Sequence, residues 1–181
     1  MKSGIRILAV EDGSFTRKDK KVIVVCLMGR DGTVEGALSF KVSVDGDDAT
    51  SMLLKSIKKS RFKDQIKLIA LNGISLGGIN LVDMPLVHKT LKIPLIAITR
   101  KRPRRTLMLK AVKKYSDRNR IAVFNSISKD TSLNKIEGFY VQSIGMPISE
   151  IKKFVPKSIE LLRLGHIVAS GVSKGESSGS L

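Results

Sequence analysis

LIALNGISLGGINLVDM, residues 68–84, decides the fold. From Ile66 to Leu71 the chain is a short, nearly continuous apolar run of the kind found in strands buried on both faces. Asn72 and Gly73 end the run, a loop of small residues follows, and from Leu81 to Leu91 the apolar positions recur at helical spacing. Ile93 to Ile98 is strand-like again. A strand, a crossover helix and a second buried strand make a β-α-β unit, whose two strands run parallel.

Upstream the pattern is different. Ile5 to Val10 and Val22 to Met28 are β-rich apolar runs, and Val34 to Val44 alternates with a period near two, so three strands joined by short turns open the chain. DGDDATSMLLKSIKKS, residues 45–60, then starts a helix: Asp47 or Asp48 can cap it, Met52, Leu53 and Ile57 share a face, and Lys58 and Lys59 suit its carboxyl end. Downstream, Thr106 to Tyr115 reads as a helix, Ile121 to Phe124 and Phe139 to Gln142 as short strands, and Ile148 to Val155 and Ile159 to Val172 as two helices separated by Pro156. A meander followed by parallel β-α units predicts an α/β fold, a mixed sheet with helices on both faces. Residues 1–174 are expected to form one domain, with GESSGSL at 175–181 as a flexible tail.

Composition narrows the partners. With 181 residues, 42% of them hydrophobic, the chain can bury one core. No apolar run approaches the roughly 18 to 20 residues of a membrane span, and two acids stand where a signal peptide would carry its cleavage site, so a cytoplasmic protein is expected. Cys26 is the lone cysteine, which excludes a disulfide framework and a cysteine zinc site and leaves a small buried hydrophobe. A formal charge of +17, from 33 Lys and Arg against 16 Asp and Glu, calls for a polyanion, and nucleic acid comes first. An anionic membrane surface fits less well, because aromatics are only 4% and there is no Trp.

The strongest basic feature is TRKRPRR, residues 99–105, where Arg100, Lys101, Arg102, Arg104 and Arg105 share a loop after a strand end. Lys58, Lys59, Arg61, Lys63, Lys113, Lys114, Arg118 and Arg120 either extend it or belong to an ordinary solvated surface. Acids gather elsewhere. Glu11 and Asp12 end the first strand, where neighbours face opposite sides and only one can enter a given site. Asp45, Asp47 and Asp48 precede the first helix, where capping and turn formation also account for them. If strands one and four are neighbours, their ends bring Glu11 or Asp12 beside Asn72, with Asp48 at the edge, an oxygen set of the kind Mg²⁺ takes. Asn72 can equally be a turn cap, and His88 and His166 read as hydrogen-bonded structural imidazoles. Gly73, Ser75, Gly77 and Gly78 match neither the P-loop nor the dinucleotide fingerprint, so no nucleotide cofactor is expected.

IRILAVEDGSF, VSVDGDDATSMLLKSIKKSRF, IKLIALNGISLGGINLVD, KIPLIAITRKRP and IELLRLGHIVASGVSKGES, in this order over nearly the whole chain, resemble the DUF99 (UPF0215) family of archaeal proteins. That family is similar to endonuclease V. The resemblance implies a ribonuclease H-like fold in which acids from strand one, strand four and a helix hold Mg²⁺, with Mn²⁺ as an alternative, for phosphodiester hydrolysis. Carried over residue by residue, it makes Glu11, Asp48 and Asn72 the metal set and Glu11, Asp12, Asp48 and Asn72 the catalytic set. It implies DNA ahead of RNA as the substrate.

Two positions depart from the family's pattern. Its first-strand Asp-Asp-Gly is Glu11-Asp12-Gly13 here, which lengthens one arm by a methylene; its fourth-strand Asp-Gly-Ile is Asn72-Gly73-Ile74, which removes a full negative charge. Metal-dependent cleavage loses most by these changes, whereas phosphate binding is less affected, since one carboxylate fewer makes the groove more attractive to phosphates. The expected function is a nucleic-acid-binding, endonuclease V-like hydrolase with a weakened metal site. The alternatives are a non-catalytic nucleic-acid-binding module and a scaffold that binds an acidic partner.

Overall fold

The computed structural model describes residues 4–114 and 118–177. Seven strands form one sheet in the order β3-β2-β1-β4-β5-β7-β6. β1 (Ile7–Asp12), β2 (Lys21–Arg30) and β3 (Thr33–Ser43) are the antiparallel meander; β4 (Leu68–Asn72) lies parallel to β1, and β5 (Leu95–Thr99) parallel to β4. Strands one and four, whose adjacency was the condition for Glu11 or Asp12 to stand beside Asn72, are neighbours, with Ala9 opposite Ala70 and Val10 opposite Leu71. β6 (Ser132–Ile136) and β7 (Phe139–Ile144) close the other edge as a hairpin.

Strand alternation sorts the core into two layers. Leu8, Val10, Ile69 and Leu71 point to the face covered by α1 (Ala49–Lys59) and α2 (Met84–Leu91), where Leu53, Ile57, Met84 and Val87 are buried. Ile7, Ala9, Leu68 and Ala70 point to the opposite face, under α5 (Ile148–Lys174), which buries Ile151, Val155, Leu161 and Leu162 against them. α3 (Arg105–Lys114) and α4 (Arg118–Asp130) pack beside the first layer through Val112 and Phe124. Cys26 is fully buried in that layer, and burial pushes its thiol up. No described helix is long and apolar enough to cross a membrane.

Two expectations are corrected, and one strand is added. Ile121 to Phe124 is not a strand but the first half of α4: a four-residue apolar run suits either state, and Ile121, Phe124 and Ile127 recur at helical spacing, with the last two buried. Pro156 does not divide the last segment. It sits inside one 27-residue helix on an exposed face, leaving the Lys152 carbonyl without its helical partner; that costs about 3 kcal/mol, less than the several apolar side chains α5 buries, each worth roughly 1.5–3 kcal/mol. Ser132 to Ile136 is a strand that its polar composition hid, paired to β7 through a two-residue turn in which Glu137 and Gly138 both take positive φ. Gly175 caps α5; Tyr115, expected to end the third helix, and residues 178–181 of the expected tail lie outside the described residues.

Candidate functional site

β1, β4 and β5 are parallel, so Glu11, Asn72 and Thr99 all arrive at the same carboxyl end of the sheet, where open α/β sheets bind their ligands. Period-two alternation puts Glu11 on the α5 face, in line with Ile7 and Ala9. Asn72 follows Leu68 and Ala70 to that same face, and its Nδ2 donates to Glu11 Oε2 at 3.4 Å. α5 lies directly on the carboxyl: a Cβ added to Gly165 would stand 3.2 Å from Glu11 Cγ, so a glycine is what permits this approach. One residue on, His166 Nδ1 stands 4.0 Å from Glu11 Oε2, and Ser170 Oγ stands 3.4 Å from its Nε2.

Glu11 is only 1% exposed, and its Oε1 has no hydrogen-bond partner among the described residues. Burial lifts its carboxyl to about 8, with the Asn72 amide pulling the other way and the neighbouring Asp12 charge adding to the rise. Asp12 faces the opposite side. Its Oδ2 accepts from Gly77 N at 2.7 Å, a bond that needs the positive φ of Gly77, and burial raises its carboxyl against that bond. Asp12 therefore does not replace Glu11 in the cleft.

Asp48 does not join Glu11 and Asn72. It stands at the start of α1, on the α1 face of the sheet, and both of its oxygens are engaged: Ser43 N and Ser43 Oγ donate to them, as does Asn80 Nδ2 at 2.7 Å. Burial alone would raise its carboxyl, but these hydrogen bonds outweigh burial and hold it below the ordinary range. The carboxylate ties the β3 end to the loop after β4 and does not itself cap α1, whose first N–H, that of Ala49, donates instead to Asn80 Oδ1 at 2.8 Å.

The Mg²⁺ that the resemblance implies can be tested against these donors. A hard cation wants about six oxygens, and the α5 face offers one buried carboxylate, one amide whose NH₂ faces that carboxylate, and an imidazole nitrogen. Among the described residues no three His, Cys, Asp or Glu side chains form a metal-holding group. The residues present do not fit Mg²⁺, and Mn²⁺ fares little better with a single carboxylate.

The basic loop lies at this same end. Thr99 Oγ1 donates to Lys101 O at 2.9 Å and turns the chain out of β5, leaving Arg100, Lys101, Arg102, Arg104 and Arg105 exposed. On the α5 side, Asn72, Arg100, Lys101 and Phe139 border a cavity of about 220 Å³. On the other side of the β4 end, a largely apolar cavity of about 620 Å³ opens beneath Arg104 and Arg105, walled by Ile74, Met108 and Phe124. The other basic residues divide. Lys58, Lys59, Arg61 and Lys63 precede β4 and so lie at its amino end, away from the cleft. Arg120 is buried, with Nη2 donating to Asp45 O, while Lys113 and Lys114 end α3 exposed and the Arg118 side chain lies outside the described residues. His88 is structural, its Nδ1 within 2.8 Å of Ile93 O.

His166 is the site residue that sequence reasoning passed over. The signal for it was the spacing Gly165, Ala169, Ser173, a small-residue stripe that seats α5 on β1 and carries His166 and Ser170 with it.

A family model described as Endonuclease dU matches residues 3–173. A UPF0215 protein of Methanothermobacter thermautotrophicus is 35% identical over 192 residues, covering 99% of this chain and 93% of the relative. A UPF0215 protein of Archaeoglobus fulgidus is 35% identical over 183 residues, covering 96% and 97%. Among solved structures, a protein of unknown function from Archaeoglobus fulgidus superposes with a TM-score of 0.82 at 34% identity, covering 93% of this chain and 98% of that one. Human ENDOV superposes with a TM-score of 0.53 at 11% identity, covering 92% and 83%, a likeness of fold: the mixed sheet is the ribonuclease H-like sheet of endonuclease V.

Proposed function

The chain belongs to the endonuclease dU family, and from that premise we propose that it binds nucleic acid, DNA ahead of RNA, across the carboxyl ends of β1, β4 and β5. One observation carries the reading: on the exposed cationic loop from Arg100 to Arg105, Arg100 and Lys101 border the smaller cavity and Arg104 and Arg105 the larger, one on each side of the β4 end. Arg binds phosphate oxygens bidentately, so the loop takes the backbone. The apolar cavity of about 620 Å³ beneath it has room for a base turned out of the stack, and Ser75, Ser128 and Gln142 supply polar contacts to its edge. The family's description makes a strand containing deoxyuridine the first ligand to try.

The test is fluorescence anisotropy of a labelled single-stranded oligonucleotide, with and without deoxyuridine, over a range of salt. Binding that falls steeply with salt and is lost when Arg100, Arg102, Arg104 and Arg105 are all replaced by Ala supports the proposal. Binding of an acidic protein by the same loop, with no affinity for DNA, would replace nucleic acid by an acidic partner.

A further inference from the structure

We propose that the cleft holds its nucleic-acid strand without a divalent metal at Glu11, as a binding module rather than a metal-dependent hydrolase. The inference rests on the nucleic-acid reading above and concerns what the same cleft does with the strand.

The donor set carries it. Of the four residues that the resemblance places in the centre, only Glu11 brings a carboxylate to the α5 face, and that carboxylate lies beneath Gly165 with an amide NH₂ turned toward it. Asp12 points through the sheet to Gly77, and Asp48 is engaged by Ser43 and Asn80 on the other layer. Both are held away from Glu11: Asp12, at the very end of β1, would have to give up its bond from Gly77 N, and Asp48 would have to release the β3 end and the loop after β4 together. His166 supplies nitrogen, which Mg²⁺ does not favour.

Charge points the same way. A dication entering the cleft finds one carboxylate, Glu11, on the α5 face, with Asp12 turned to the other face, and passes Arg100 and Lys101 on the rim, in a chain of net charge +17. The phosphates of a strand meet the reverse arrangement: cations on the rim and, at the floor, the exposed amide of Asn72 where a carboxylate would repel them.

The experiment has a metal arm and a DNA arm, both on the full chain. In the first, MnCl₂ alone is titrated and free Mn²⁺ is followed by electron paramagnetic resonance. Wild type is expected to take up no Mn²⁺ that Glu11→Gln abolishes, and Asn72→Asp is expected to gain such a site and lose it again in Asn72→Asp/Glu11→Gln. Uptake by wild type that Glu11→Gln removes overturns the proposal, as does an Asn72→Asp variant that gains none, since the missing carboxylate would then not be what excludes the metal. In the second arm, affinity for the oligonucleotide is compared in Mg²⁺ and in EDTA at matched ionic strength. Equal affinity with an intact strand is expected, and cleavage that requires Mg²⁺ overturns the proposal. Loss of DNA binding in both buffers instead defeats the nucleic-acid reading, while the Mn²⁺ titration still judges the donor set by itself.

Discussion

Asn72 Nδ2 donates to Glu11 Oε2 across the β1–β4 pair, so an exposed strand-end amide covers a carboxyl that is otherwise buried under α5. A second carboxylate in place of Asn72 would set like charges against each other in a poorly solvated place. The amide instead tolerates either protonation state of Glu11.

The first prediction follows from that burial. Glu11 titrates at about 8 in the folded chain against an ordinary 4.5, so between these values the folded state holds a proton that the unfolded chain has released. The stabilisation is complete below pH 4.5 and is lost as pH rises through about 8. Across this window Glu11 removes up to about 1.4 kcal/mol of stability per pH unit, and Glu11→Gln flattens the slope. Urea denaturation of both proteins from pH 5 to 9 checks it; parallel profiles would mean that Glu11 is solvated.

Asp48 is predicted to be structural. Asp48→Ala removes the acceptor of Ser43 N, Ser43 Oγ and Asn80 Nδ2, at a cost of roughly 1–3 kcal/mol in unfolding free energy, with DNA affinity unchanged. The carboxylate's contribution is present above its ordinary 3.8 and is lost as pH falls below it, so the gap between wild type and Asp48→Asn narrows in acid.

The legible part of the fold was whatever apolar pattern fixes alone. Ile66 to Leu71 and Ile93 to Ile98 announced buried strands, and the helix between them made the strands parallel, which brought Glu11 and Asn72 together once β1 lay beside β4. Asp48 was not legible. It leaves the chain from a turn, where no period assigns a face, and its partner Asn80 is 32 residues away. Pro156 misled because proline cost is local while the burial that outweighs it is tertiary, and β6 was hidden because an edge strand with Ser132, Asn134 and Lys135 needs no apolar run.

The two basic surfaces are predicted to differ. Replacing Arg100, Arg102, Arg104 and Arg105 by Ala should lower the slope of log affinity against log salt by about 0.7 for each phosphate contact removed. Replacing Lys58, Lys59 and Lys63, at the amino end of β4, should leave the slope nearly unchanged. Equal effects would mean that charge alone, without a defined cleft, attracts the strand.

Filling the larger cavity separates base from backbone. Ser128→Trp places an indole in the space of about 620 Å³ and alters no charge. It is expected to weaken binding of a base-bearing strand roughly tenfold and to leave an abasic strand of equal length unaffected. Thermal unfolding of the variant shows whether the fold has survived.

Hydrogen–deuterium exchange with and without single-stranded DNA tests the central claim most directly, since it locates the strand without altering a residue. The cleft predicts slower exchange at residues 72–78 and 99–109, with none at residues 37–43 or 55–63 on the far edge of the sheet. Protection of that far edge, with the ends of β4 and β5 unchanged, would contradict the account.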